Sequence, residues 1–229
     1  MSEYFKFENS TRDIPFYKHN PRLSKTAWIV LLLSIPLAML VAGISIEYSE
    51  FSSEVLFCLV MLIPLLYYCK WDYSLIFSRL TRSDIKLAVF LCIGYLIYAL
   101  AVGEVLDFVI GMPSSTGSSL SVTLETFAGL IFSMMAEEVL KFIPLMFFMR
   151  LIYKFSENRK LSIVISSAVI MICFGLLHYT PGDPVIYVLL IQGFGTIFEL
   201  YGYFKTKNLF VPYLSHLFTD GIIFLMALL

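Results

Sequence analysis

The chain predicts an all-α fold, a polytopic transmembrane helical bundle of about seven spanning helices, on three observations. Its 229 residues are 59% hydrophobic and 14% charged, with a mean hydropathy of +0.84. Soluble domains run nearer 45–50% apolar and about 25% charged. Apolar runs close to twenty residues recur along its length, which is what a hydrocarbon layer of about 30 Å requires. The basic residues lie almost entirely between alternate runs, as they do when every second loop faces the cytoplasm.

Residues 1–24 are polar and aromatic, and Pro15 and Pro21 interrupt any long helix. This stretch reads as a cytoplasmic tail ahead of one transmembrane domain, 25–229. The first apolar run, about 26–45, lacks a small-residue cleavage site and reads as a retained anchor, with Pro36 a tolerated kink. The second, about 54–69, is short and contains Pro64. The third covers about 85–110. The loop 114–121 with Gly117 is a flexible connector or gate. The fourth run, about 123–149, holds Glu137, Glu138 and Lys141, with Pro144 close behind. The fifth covers about 161–179. Pro181-Gly182-Asp183-Pro184 is a tight turn, followed by the sixth run at about 185–204 and the seventh at about 208–229.

Fifteen of the sixteen Lys and Arg residues fall before the first run or in the loops after the second, fourth and sixth. The exception is Lys141. The positive-inside rule then places the amino terminus in the cytoplasm and the carboxyl terminus outside, in a multi-pass cell-membrane protein. The net charge of −1 identifies no partner. The four cysteines lie in or at the ends of apolar runs without CxxC spacing, and read as small apolar side chains rather than a disulfide or metal site.

Inside the fourth run, Ala136-Glu137-Glu138-Val139-Leu140-Lys141 places three charges where each costs roughly 2.5–3.5 kcal/mol at mid-membrane depth. On a helix Lys141 lies four residues from Glu137 and three from Glu138, so it neutralises one carboxylate. The other needs a partner. Candidates follow in Phe174-x-x-x-His178 and in His216-x-x-x-Asp220, whose two polar residues share a helix face. Each taken singly fits an interhelical hydrogen bond as well as a function. Together they supply a base, neutral donors and an orienting acid, the parts that activate water and hold an oxyanion. Glu104, Asp107, Glu125 and Glu199 lie nearer the expected helix ends, where solvation accounts for them; Glu199 keeps a weak claim.

These residues resemble the CPBP group of intramembrane proteases, which includes the type II CAAX prenyl endopeptidases and bacteriocin-immunity proteins. That group's pattern runs EExxxR, FxxxH, then HxxxN. Here the order is Glu137-Glu138, Phe174 to His178, and His216 to Asp220, and 202–216 also looks like the family's approach to its second His. The likeness covers about 123–225. Phe142 stands where the family has Arg, with Lys141 one place earlier, and Asp220 replaces Asn. Both departures look like the related PrsW proteases, whose middle motif has Glu where this chain has His178. The chain therefore resembles the wider glutamic intramembrane protease superfamily, on its CPBP side.

The resemblance implies an intramembrane endopeptidase acting on a membrane-anchored protein or peptide, prenylated or transmembrane. Glu137 would be the general base on water, His178 would share that activation, and His216 with Asp220 would hold the oxyanion. Glu138 and Lys141 would be supporting charges. No cofactor is expected. One Glu and two His could hold zinc, but HExxH is missing. The expected partners are the substrate and the lipid bilayer, with no nucleic acid. A non-catalytic scaffold or immunity protein of the same fold is the alternative, and a proton-relaying transporter is disfavoured by the lack of paired repeats. Counting along the helices puts Glu137 and Asp220 near mid-bilayer, with His178 toward the outer end of its run. Either the fifth segment is displaced or the site is a cavity reaching outward.

Overall fold

Each helix begins where the sequence supplies a cap. In the computed structural model, which describes residues 12–18, 21–111, 123–182 and 184–227, Ser24 accepts from Ala27 N to open α1, Lys25–Ser45. Ser49 does the same for α2, Glu50–Tyr68. A reciprocal Thr81–Asp84 capping box opens α3, Arg82–Ile110, and Gly111 ends it at φ +68°, a left-handed turn that glycine adopts without strain. Thr123 caps α4, Leu124–Ser156, and Asn158 caps α5, Arg159–Leu177. The sixth span is continuous over Val185–Thr206 but not uniform. A short α6, Val185–Val188, passes through a π-helical stretch, Leu189–Phe194, into α7, Gly195–Thr206. The last helix is α8, Phe210–Ala227.

Six of the described helices are long and apolar enough to cross a bilayer, counting α6 to α7 as one. The seventh long helix, α4, has 33 residues, about 50 Å, and differs in carrying three charges within a few turns. The expected runs correspond one to one with these helices. The boundaries shift: α4 continues seven residues past the expected Met149, and α2 starts four before Glu54, because the Ser49 cap and the left-handed Glu157 (φ +50°), rather than the apolar edges, mark those helix ends. Pro181 and Gly182 form the expected turn, Gly182 at φ +110°. Asp183 and the 114–121 connector lie outside the described residues. All four cysteines are free thiols, Cys58, Cys69 and Cys92 buried and Cys173 exposed.

The bundle is built around α4, which packs against α1, α2, α5 and α8, while α3 covers α7 and α8 from the far side. Glu138 to Ile143 are six consecutive buried residues, so at this level α4 has no outer face. A helix enclosed all round can shelter charge only if it is internally paired.

The end of the bundle with the basic loops is closed by the segment expected as a tail. Ile14, Phe16 and Tyr17 are buried there. The Phe16 ring packs edge-on against Trp28 at 6.4 Å and Phe142 at 6.3 Å. Asp13 pairs with Arg159 at 2.9 Å and accepts from the Tyr17 hydroxyl at 2.9 Å. Burial, reinforced by that carboxylate, pushes the Tyr17 phenol up to about 12. Asn208 ties the turn before α8 to Ser78 through both its side-chain groups, at 3.0 and 3.1 Å.

Candidate active site

Adjacent residues on a helix point about 100° apart, so Glu137 and Glu138 enter different surroundings. Glu138 turns inward with Lys141, three residues on. The Lys141 ammonium lies 2.5 Å from Glu138 Oε1, donates to Glu199 Oε2 on α7, and sits 4.5 Å above the Phe174 ring centroid. Glu138 and Lys141 are each 3% exposed. The space beside them, bounded also by Phe142, Leu145, Glu199 and Tyr203, is about 10 Å³, at the lower limit for a single water. This is a dry ion cluster.

His216 joins the cluster from α8. Its Nδ1 is 3.0 Å from Glu138 Oε1 and 3.6 Å from Glu199 Oε1. A carboxylate beside an ammonium can only accept, so Nδ1 carries a hydrogen and donates it to Glu138. The opposite nitrogen, Nε2, points out of the cluster, 3.7 Å from Glu137 Oε2 and 3.9 Å from Asp220 Oδ2. Neither distance is a hydrogen bond, and both leave room for a bridging group.

Glu137 and Asp220 line a cavity of about 500 Å³ between α1, α2, α4 and α8. Their side chains are 23% and 28% exposed. Glu50, Ser53, Glu54 and Thr126 line it further out, toward the end of the bundle away from the basic loops. The cavity reaches toward that end, and His178, whose depth raised the mismatch, is not among its lining residues.

The structure brings together Glu137, Glu138, Lys141, His216 and Asp220. It leaves His178 outside the lining of the cavity. His178 caps α5, its Nδ1 is 2.9 Å from Phe174 O, and its ring is 4.6 Å from that of Phe174. It lies within electrostatic range of Asp220, and among the described residues it makes no ion pair with the acids. Phe174, one turn before it, performs a role the motif did not suggest, covering Lys141.

Three contributors escaped the sequence reading. Glu199, which the sequence places near a solvated helix end with only a weak claim to a role, is the second carboxylate on Lys141. Glu54, taken as the start of α2, interacts with Glu137 across the cavity. Tyr95 on α3 lies within electrostatic range of Glu199, Asp220 and Lys141. The intramembrane position of Glu54, one turn inside an apolar helix, was the available signal.

Glu138, Glu199 and His216 present ligand atoms within 4.8 Å of one another. The Lys141 ammonium already stands between the two carboxylates, and a second cation there would meet it at close range. These residues do not fit a metal centre.

Comparison of the chain with protein-family models, with curated proteins and with solved structures gives no match.

Proposed function

We propose that this chain is an intramembrane endopeptidase that hydrolyses a peptide bond of a membrane-tethered protein or peptide, prenylated or transmembrane. The observation that carries the reading is His216, which joins a dry ion cluster through Nδ1 and directs Nε2 toward Glu137 and Asp220, two partly exposed carboxyls that line the cavity. Glu137 takes a proton from a water in that cavity as the water attacks the scissile carbonyl. His178, within electrostatic range of Asp220, is assigned the assisting role by the motif resemblance. The tetrahedral oxyanion is held by His216 Nε2–H and Asp220. With His216 as imidazolium, it and Lys141 balance Glu138 and Glu199, so the buried charges sum to zero and Nε2 becomes a donor. Glu137 then returns its proton to the leaving amine.

The resemblance to CPBP and PrsW proteases supports the same reading from the motifs. A non-catalytic scaffold of this fold is the competing one. The amino terminus is assigned to the cytoplasm from the basic loops. A cysteine introduced at Ser156 should label only after the membrane is permeabilised, and labelling from outside would reverse the orientation.

The functional test compares membrane proteomes of cells expressing the wild-type chain or Glu137→Gln at equal levels. New peptide termini next to a lipid anchor or within a transmembrane segment should appear only with the wild type. The uncleaved precursors should co-purify with Glu137→Gln. Identical termini in the two proteomes, with the same partners bound to each, would establish the scaffold instead.

A further inference from the structure

We propose that the cavity beside Glu137 selects its substrate by positive charge: a Lys- or Arg-bearing stretch of the membrane-tethered chain, on the side away from the basic loops and within about five residues of the bond to be cut. The proposal rests on the peptidase reading, since it takes that cavity as the substrate site, and it adds the class of sequence the site accepts.

The cavity wall carries acid without a matching Lys or Arg. Glu50, Glu54, Glu137 and Asp220 line it, and the stretches that supply its lining, 26–69, 87–140 and 208–229, contain no Lys or Arg. Glu50 accepts from the Thr126 hydroxyl at 2.6 Å, a neutral donor that satisfies an oxygen and cancels no charge. Glu54 meets Glu50 and Glu137 as like charges. The basic groups in range of Asp220 are His178, His216 and Lys141. In the proposed mechanism His216 and Lys141 are already matched by Glu138 and Glu199, and Asp220 keeps its proton. Glu50, Glu54 and Glu137 remain, and apolar walls concentrate their field on whatever enters.

The acids are held in place. Glu50 and Glu54 lie one turn apart on one face of α2, and Gly129 on α4 leaves room for the second, since a Cβ there would lie 3.2 Å from Glu54 Cγ. Glu125 accepts from Phe51 N at 3.1 Å, tying the two helices together at the mouth. A separate observation points to a ligand: His216, 9% exposed, directs Nε2 toward Glu137 and Asp220, and that nitrogen has no hydrogen bond among the described residues. From Thr126 to Glu137 is eleven residues, about 16 Å along α4, the span of about five residues of extended chain. A metal ion fits less well. Among the described residues only Glu138, Glu199 and His216 bring three ligand atoms within 4.8 Å, so the cavity acids are strung along the wall rather than gathered at a point. A basic flank is also a discriminating label, because outer loops of membrane proteins carry few Lys and Arg.

The test measures binding of fluorescent peptides to the purified full chain carrying Glu137→Gln, in phosphatidylcholine nanodiscs. Each peptide is a leucine–alanine spanning helix with a neutral flank at one end and either Lys or Gln residues at the other. The Lys peptide should bind about tenfold more tightly. Adding Glu50→Gln with Glu54→Gln should reduce that preference to about twofold. Glu104→Gln, which removes a charge from an exposed position on α3 outside the cavity lining, should keep it. Equal affinity for the two peptides, or binding of neither, overturns the proposal. So does a preference that survives the double change with the helices preserved by circular dichroism, or one lost equally in Glu104→Gln, which would mark a general surface field. Displacement of the Lys peptide by micromolar calcium also overturns it, since an ion would then be the ligand. Cleavage of the same peptides by the wild-type chain is read separately: a Lys preference without cleavage removes the peptidase and keeps the selectivity, and cleavage indifferent to Lys does the reverse.

Discussion

Glu137 and Glu138 are neighbours in the chain and occupy opposite physical regimes. Glu138 is 3% exposed and holds Lys141 at 2.5 Å and His216 at 3.0 Å in a space too small to be comfortably wet. Glu137 is 23% exposed, has no ion-pair partner closer than the 3.7 Å to His216 among the described residues, and lines a cavity of about 500 Å³. One carboxylate is committed to structure, and the other is left available. The lesson is that a membrane protein can keep a reactive acid in its interior if an adjacent, fully paired cluster holds the surrounding helices in place. His216 belongs to both regions, one ring nitrogen in each, and transmits the order of the first to the second.

The most damaging way to break the contrast is at Lys141. Lys141→Met keeps length and apolarity but leaves Glu138 and Glu199 facing one another in a dry space. Removing one partner of a buried pair costs about 3–5 kcal/mol. The variant should lose most of its thermal stability in detergent, monitored by circular dichroism, and His216 should lose its anchorage. A stability equal to wild type would mean that the cluster does not hold α4, α7 and α8 together.

The converse change tests the open side. Glu137→Gln removes a partly exposed charge whose nearest ion-pair partner among the described residues, His216 Nε2, is 3.7 Å away, so stability should stay within about 0.5 kcal/mol of wild type, and on the proposed mechanism peptide-bond cleavage should stop. Loss of stability comparable to that of Lys141→Met would erase the distinction between the two glutamates. The pair of variants thus separates a structural from a chemical role within one turn of α4.

This division was only half legible in the sequence. The i,i+3 spacing of Glu138 and Lys141 and the i,i+4 spacing of His216 and Asp220 are local, so helical geometry alone joined them. The Glu199–Lys141 contact spans 58 residues and depends on how α7 is aimed. That aim follows from a π-helical stretch at 189–194, and the local sequence there, Leu-Leu-Ile-Gln-Gly-Phe, reads as ordinary apolar helix. The spans were legible because apolar length is a local property. The burial of Ile14, Phe16 and Tyr17 was not, because Pro15 and scattered charges mark the segment as tail and only tertiary contacts with Trp28, Phe142 and Tyr153 fold it in. His178 shows the reverse: its spacing to Phe174 suggested the centre of the site, and its place at the end of α5 leaves it outside the cavity lining.

The finest distinction lies between the two groups that face His216 Nε2. In the proposed mechanism Glu137 accepts a proton, whereas Asp220, at 3.9 Å from Nε2, holds an oxyanion. An ionised carboxylate would repel that charge, so the role requires Asp220 to keep its own proton as a donor or to orient the imidazole. Asn can do both. Asp220→Asn should therefore retain a substantial part of the cleavage rate. Asp220→Ala removes donor and orientation and should lower turnover by about 10²–10³. Both variants should unfold near the wild-type temperature, since Asp220 lines the cavity rather than the dry cluster. If Asp220→Asn is as inactive as the alanine variant in a folded protein, the negative charge itself is required. Asp220 would then belong with Glu137 as a second base rather than with His216 as a donor.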